Sequence, residues 1–173
     1  MGGCTEGARY DEPLAASANP CWGDVTDLDK AVRWYGEILG FHVIAGPAEL
    51  VGDDSPFGQI VKDIFGADFG RGRLVFLTGG NGVVIEIFEF ERPKSERREN
   101  NFEFWKNCFF HICFVDPDIE ETAKKIAETG GKLRSKVWQL FPDKPYKIAY
   151  CEDPFGNTIE LYSHSTEQTW SNR

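Results

Sequence analysis

An internal repeat limits the folds open to this chain more than any other sequence feature. Asp27 is followed thirteen positions later by Gly40, and Asp118 is followed at the same spacing by Gly131. Each aspartate directly precedes an aliphatic residue. Two later segments also match, Gly82–Ile87 and Gly156–Leu161, and both read Gly-x-x-Ile-Glu-aliphatic. Each half therefore predicts a strand, a helix and then three strands, and two such halves can arrange their sheets around one cleft.

The repeat also divides the chain into parts. Leu28, Val32 and Tyr35 lie on one face of a helix that Asp27 can cap. The Gly- and Phe-rich stretch 46–72 predicts an irregular functional loop or lid. The expected parts are a mobile tail (1–18), a first βαβββ module (19–91), a charged connector (92–107), a second βαβββ module (108–165) and a C-terminal tail (166–173). The predicted fold class is α+β.

Composition and charge exclude several classes of function. The chain has 173 residues, of which 41% are hydrophobic, so it can bury a core without disulfides. Its net charge of −9 opposes binding to nucleic acid. No apolar run is long enough to predict a membrane span. The five cysteines include no Cys-x-x-Cys pair, which predicts reduced thiols in a cytoplasmic protein.

Three polar residues interrupt apolar predicted strands: Glu86, His111 and Glu160. Each one alone is explained by a solvated sheet face or by a structural hydrogen bond. The repeat, however, supplies both glutamates from one motif, and His111 precedes Asp118 by seven positions. An imidazole with two carboxylates suits a divalent Zn, Ni, Mn, Co or Fe ion, and these ligand types do not choose among the metals.

Four segments together resemble the vicinal oxygen chelate superfamily: 27–41, 81–90, 109–121 and 150–164. This superfamily includes glyoxalase I, fosfomycin-resistance thiol transferases, methylmalonyl-CoA epimerase and extradiol dioxygenases. The resemblance implies paired βαβββ modules that form a U-shaped mixed sheet around a metal in a central cleft. It also implies that Glu86, His111 and Glu160 are metal ligands and that Glu160 or Glu86 is the catalytic base. The implied activity is that of a lyase or isomerase acting on a small, partly apolar oxygenated substrate through metal-stabilised enolate-type chemistry.

The sequence departs from the family pattern at the fourth ligand. Seven residues before Asp27 the chain has Pro20, which carries no donor atom. His42 and His164 are possible substitutes. The metal is therefore expected to be weakly held or absent, and two alternatives stay open. One is a non-catalytic protein that sequesters a small molecule at a degenerate metal site. The other is an extradiol-type dioxygenase, which needs two histidines and one carboxylate.

The remaining expectations concern the ligand and the assembly. Residues expected to bind substrate are Trp138, Phe141, Tyr146, Cys113 and Phe88. The expected partner is a small molecule, with no nucleic acid and no membrane. If the first strand of module one is incomplete, an exposed sheet edge would favour pairing with a second chain. A homodimer is therefore expected.

Overall fold

The computed structural model of the chain describes residues 21–80, 82–107 and 109–171. Within those ranges the helices are α1 (Leu28–Leu39), α2 (Pro56–Phe65), α3 (Ile119–Glu128) and α4 (Thr166–Trp170). The strands are β1 (Cys21–Asp24), β2 (His42–Val51), β3 (Arg71–Thr78), β4 (Val84–Arg92), β5 (Ile112–Val115), β6 (Lys132–Leu133), β7 (Trp138–Gln139), β8 (Lys147–Glu152) and β9 (Thr158–Tyr162). None of the helices in these ranges is both long and apolar enough to cross a bilayer.

Helix α1 begins and ends where its sequence predicts. The side chain of Asp27 accepts a hydrogen bond of 2.9 Å from the backbone N–H of Lys30, which caps the first turn. Gly40 ends the helix with a φ of 70°, a conformation that glycine adopts without steric cost. The buried face consists of Leu28, Ala31, Trp34 and Tyr35. This amphipathic helix therefore packs on the sheets as the periodicity predicts.

Each module forms one mixed sheet with the same strand pattern. The first sheet has the order β1-β4-β3-β2, and the second has the order β5-β9-β8-β6 with β7 added to β8. In both sheets the first strand of the module runs parallel to the last. These features confirm the α+β class and the two βαβββ modules. Among the described strands, the two sheets are not joined by a strand pair into one U-shaped sheet.

The register of the parallel strands is equivalent in the two modules. Cys21 of β1 lies opposite Glu86, and Cys113 of β5 lies opposite Glu160. The β1 pairing shifts between Cys21 and Asp24, so β1 contains one additional residue there. His111 stands two residues before Cys113. The position that stands two residues before Cys21 is Asn19, not Pro20. Both of those positions lie outside the described residues.

One hydrophobic core joins the modules. It combines the inner faces of β3, β4, β8 and β9 with helices α1 and α3. The two halves are also joined by a buried hydrogen bond of 2.9 Å, which the Tyr35 hydroxyl donates to the Asp153 carboxylate. The modules are therefore held in a defined relation by contacts that do not depend on strand pairing.

The prediction of an irregular loop over 46–72 is wrong. Strand β2 continues to Val51, and α2 begins at Pro56 behind a Ser55 hydroxyl that accepts a hydrogen bond of 3.0 Å from the N–H of Gly58. The Phe65 ring packs against the ring of Phe69 and against two rings of β4. Local capping and aromatic packing thus outweigh the glycine content of this stretch.

Three further boundaries differ from the sequence expectation. Strand β5 begins at Ile112, so His111 lies directly before the strand rather than inside it. Asp118 precedes α3 without a side-chain cap, and Asp116 instead accepts hydrogen bonds from the Asp118 N–H and the Thr122 hydroxyl. The expected C-terminal tail contains the short helix α4, which starts with a capping box at Ser165.

Candidate metal centre and active site

The structure brings two of the predicted site residues into contact. His111 Nε2 lies 3.2 Å from Glu160 Oε2. The contact forms because β5 runs parallel to β9, which places the residues at the start of β5 beside the middle of β9. The Glu160 side chain is 9% exposed and that of His111 is 30% exposed. The carboxylate is therefore largely shielded from water, while the imidazole remains accessible from one side.

Two neighbouring side chains flank Glu160. Cys113 and Tyr150 each lie opposite Glu160 on the flanking strands β5 and β8. Burial, reinforced by the charge of Glu160, raises the pKa of the Cys113 thiol to about 12. Burial and the neighbouring Glu160 carboxylate also raise the pKa of Tyr150. Both groups therefore stay protonated near neutral pH and add no negative charge beside the carboxylate.

His111 lies in an aromatic environment. The Tyr150 ring meets the imidazole edge-on at 5.4 Å between centroids, and the Phe110 ring does so at 5.1 Å. The second imidazole nitrogen, Nδ1, is buried and has no hydrogen-bond partner among the described residues. A buried polar atom without a partner costs free energy, which binding of an ion or ligand could recover.

The His111–Glu160 pair fits two ligands of one divalent ion. Ligand atoms that each lie about 2.0–2.2 Å from a metal are separated from one another by roughly 2.8–3.6 Å. The observed 3.2 Å falls in that range. Within the described residues, however, no group of three His, Cys, Asp or Glu side chains is arranged to hold a metal. The described residues therefore supply at most two ligands at this position.

Glu86 is not part of such a group. It lies in β4 between the buried residues Ile85 and Ile87, so its half-buried side chain projects from the sheet face opposite the core. Its role as a third ligand or as the base remains a prediction. His42, at the exposed start of β2, and His164, whose ring lies 4.9 Å from that of Tyr146, likewise form no three-ligand group in the described part of the chain.

The residues expected to bind substrate fall in separate places. Cys113 adjoins Glu160, as described above. Phe88 stacks on Phe90 at 5.5 Å and lines a cavity between the modules. Phe141 and Tyr146 instead belong to an aromatic group with Trp170 near the C-terminus. Trp138 is 53% exposed and lies under the Lys136 ammonium group. These residues do not form one continuous pocket wall in the described structure.

Sequence reasoning missed two contributors to this site. Tyr150 reaches Glu160 only through the pairing of β8 with β9, and Phe110 reaches His111 through its position before β5. The side chains of β8 alternate between the two faces of the sheet, so Tyr150 lies on the same face as Ile148. This alternation is one sequence signal that could have pointed to Tyr150. The register between two strands, however, is not encoded by either strand alone.

Comparison with known proteins identifies the family. The profile of the Glyoxalase/Bleomycin resistance protein/Dioxygenase superfamily matches residues 25–161. This chain belongs to that superfamily. Its similarity extends to a probable lactoylglutathione lyase of Synechocystis sp., 29% identical over 146 residues, which cover 83% of this chain and 92% of the relative. A lactoylglutathione lyase of Schizosaccharomyces pombe is also 29% identical, over 86% of this chain, but the match spans only 47% of that relative.

Solved structures of the superfamily share the fold. A glyoxalase family protein from Bacillus cereus superposes with a TM-score of 0.69 at 20% identity, over 90% of this chain and 97% of that one. The trypanothione-dependent glyoxalase I of Leishmania major gives a TM-score of 0.57 at 21% identity, over 89% and 91% of the two chains. At these identities the likeness establishes the arrangement of elements in this superfamily member.

Proposed function

We propose that this glyoxalase superfamily member is a metal-dependent lyase or isomerase that acts on a small, partly apolar oxygenated substrate. The observation that carries the proposal is the contact between His111 and Glu160 in a largely water-shielded aromatic environment. The relatives that are named as lactoylglutathione lyases make that reaction the first activity to test.

The residues of the pair would have distinct roles. His111 and Glu160 would hold a divalent ion together with Glu86, and the ion would act as a Lewis acid toward substrate oxygens. Glu160 is the better-placed base, because its carboxylate lies beside His111 and faces little water. In that position it can take a proton from the carbon beside a substrate carbonyl and return it to the neighbouring carbon.

The experiment that tests this function is an assay of lactoylglutathione lyase activity. Protein treated with a chelator is expected to be inactive, and adding back Zn, Ni, Mn, Co or Fe singly should restore turnover with at least one ion. Full activity in the presence of chelator, or no turnover with any of these ions, would contradict a metal-dependent lyase of this specificity.

A specific observation favours a second candidate, a non-catalytic small-molecule binding protein. Within the described residues the His111–Glu160 pair has no third ligand in place. Such a protein would bind its ligand stoichiometrically and release it unchanged.

For the dioxygenase alternative there is no matching support, because no group of two histidines and a carboxylate is assembled in the described ranges.

We also infer a cytoplasmic homodimer. Cys113 and Cys151 are free thiols, which suits a reducing compartment.

The outer strand β2 is exposed along nine of its ten residues. Helix α2 adds exposed apolar side chains at Phe57, Ile60 and Ile64. Apolar surface beside an unpaired strand edge favours association with a second copy, and light scattering that finds only monomer would contradict this assembly.

A further inference from the structure

A cavity of about 450 Å³ lies between the two modules, beside the His111–Glu160 pair. Residues from the β1–α1 loop, the end of β4, the connector and the turn before β9 line it. His111 and Glu160 do not line the cavity themselves. Two lining residues are close to them in the chain, because Phe110 directly precedes His111 and Thr158 stands two residues before Glu160. This volume suits a small organic ligand.

Two residues that line this cavity carry unpartnered polar atoms. In the described part of the chain, the buried side-chain atoms without a hydrogen-bond partner are Asn101 Oδ1, Thr158 Oγ1 and His111 Nδ1. Asn101 and Thr158 line the cavity, and His111 directly follows the lining residue Phe110. Thr158 is only 2% exposed, so its hydroxyl has little contact with bulk water. A ligand that hydrogen bonds here would relieve the cost of leaving these atoms unpaired.

The cavity also presents charges of both signs. Arg97 donates a hydrogen bond of 3.3 Å to the carbonyl oxygen of Pro154, and Arg98 is exposed. Among the described residues, no carboxylate forms an ion pair with either guanidinium. Asp24 and Glu96, both exposed, lie in the same lining. A ligand that carries an anionic group and N–H donors would match this combination better than a simple anion.

Aromatic rings form another part of the lining. Phe88 and Phe90 stack on one another at the end of β4, and Phe110 stacks with Tyr150 at 6.2 Å between centroids. These three phenylalanines line the cavity and can receive an apolar group. The charged connector and the phenylalanines therefore create a pocket with one polar and one apolar part.

We propose that this cavity binds an apolar α-amino acid as its zwitterion. The carboxylate would pair with Arg97 and Arg98 and accept from the Thr158 hydroxyl, and the ammonium group would donate to Asn101 Oδ1. The side chain would lie against Phe88, Phe90 and Phe110. One part of the inference rests on the proposed function, namely that this ligand is part of the substrate on which His111 and Glu160 act. The binding itself needs no metal.

The test is calorimetric titration of the full chain with L-phenylalanine in the presence of EDTA. Saturable binding of one ligand per chain is expected. The analogues 3-phenylpropionate and phenethylamine, which lack the ammonium group and the carboxylate respectively, should bind at least tenfold more weakly. Arg98→Gln should weaken phenylalanine binding about tenfold, whereas Arg33→Gln, on the exposed side of α1, should not change it. No binding, or equal effects of the two substitutions, would overturn the proposal.

Thr158→Val provides a second measurement. Its expected result differs from the result expected if Thr158 had a purely structural role. Valine matches the shape of threonine but lacks the unpaired hydroxyl, so the free protein should melt at an equal or higher temperature while phenylalanine binds about fivefold more weakly. A lower melting temperature with unchanged affinity would contradict the assignment. If phenylalanine binds in EDTA but no metal restores lyase activity, the proposed function fails and this inference stands.

Discussion

Glu160→Gln is expected to lower kcat/KM in the lactoylglutathione lyase assay by about 10²–10⁴-fold, the usual contribution of a general base. Glutamine retains the size of the side chain, and its amide can still contact His111. It cannot take up a proton at neutral pH, and it is a weaker ligand for a divalent ion. Initial rates measured with the metal present at saturating concentration check this expectation.

The matched control is Glu128→Gln, at the exposed end of α3. This variant should keep the wild-type rate, and thermal melts should show that both substituted proteins are folded. Wild-type turnover in Glu160→Gln would remove Glu160 from the catalytic machinery and would leave Glu86 as the remaining candidate base.

Asp153→Ala is expected to lower the free energy of unfolding by on the order of 3–5 kcal/mol. Asp153 is fully buried and accepts hydrogen bonds from the Tyr35 hydroxyl, the backbone N–H groups of Phe155 and Asn157, and the Asn157 amide. Burial raises the pKa of this carboxyl, while those hydrogen bonds act in the opposite direction. Alanine would leave several buried donors without an acceptor. Urea denaturation followed by circular dichroism measures the loss.

Two further variants separate the contributions at this link between the modules. Tyr35→Phe removes a single donor and should cost only about 1 kcal/mol. Asp143→Ala, in an exposed turn, should stay within about 0.5 kcal/mol of wild type. A value for Asp153→Ala as small as that of Asp143→Ala would contradict a central role for this carboxylate in joining the two halves.

The helices show what the sequence could predict and where it failed. The bounds of α1 could be predicted because its periodic apolar face is flanked by a capping aspartate and a terminal glycine. Helix α2 was missed because glycine and phenylalanine are common around it. Its start nevertheless carries a recognisable signal, since Ser55 is a favoured cap and Pro56 a favoured first helical residue.

The site was predictable only in part for a different physical reason. The repeat pointed to both glutamates, and the chain places Glu160 beside His111. Tyr150 could not be assigned to this site, because its neighbour is determined by the register of β8 on β9. The additional residue in β1 similarly changes which position corresponds to His111, and a count along the chain cannot detect such a bulge.

The most direct test of the central claim is a titration of chelator-stripped protein with Zn²⁺, followed by calorimetry and by elemental analysis after dialysis. The wild-type protein is expected to bind one ion per chain and to lose it readily to a chelator, because the part of the chain that the structure describes places no third ligand beside His111 and Glu160. His111→Ala should weaken that binding at least 100-fold while remaining folded, and His164→Ala should bind as the wild type does. If the wild-type chain binds no ion, or if His111→Ala binds Zn²⁺ as tightly as the wild type, His111 and Glu160 do not form a metal centre.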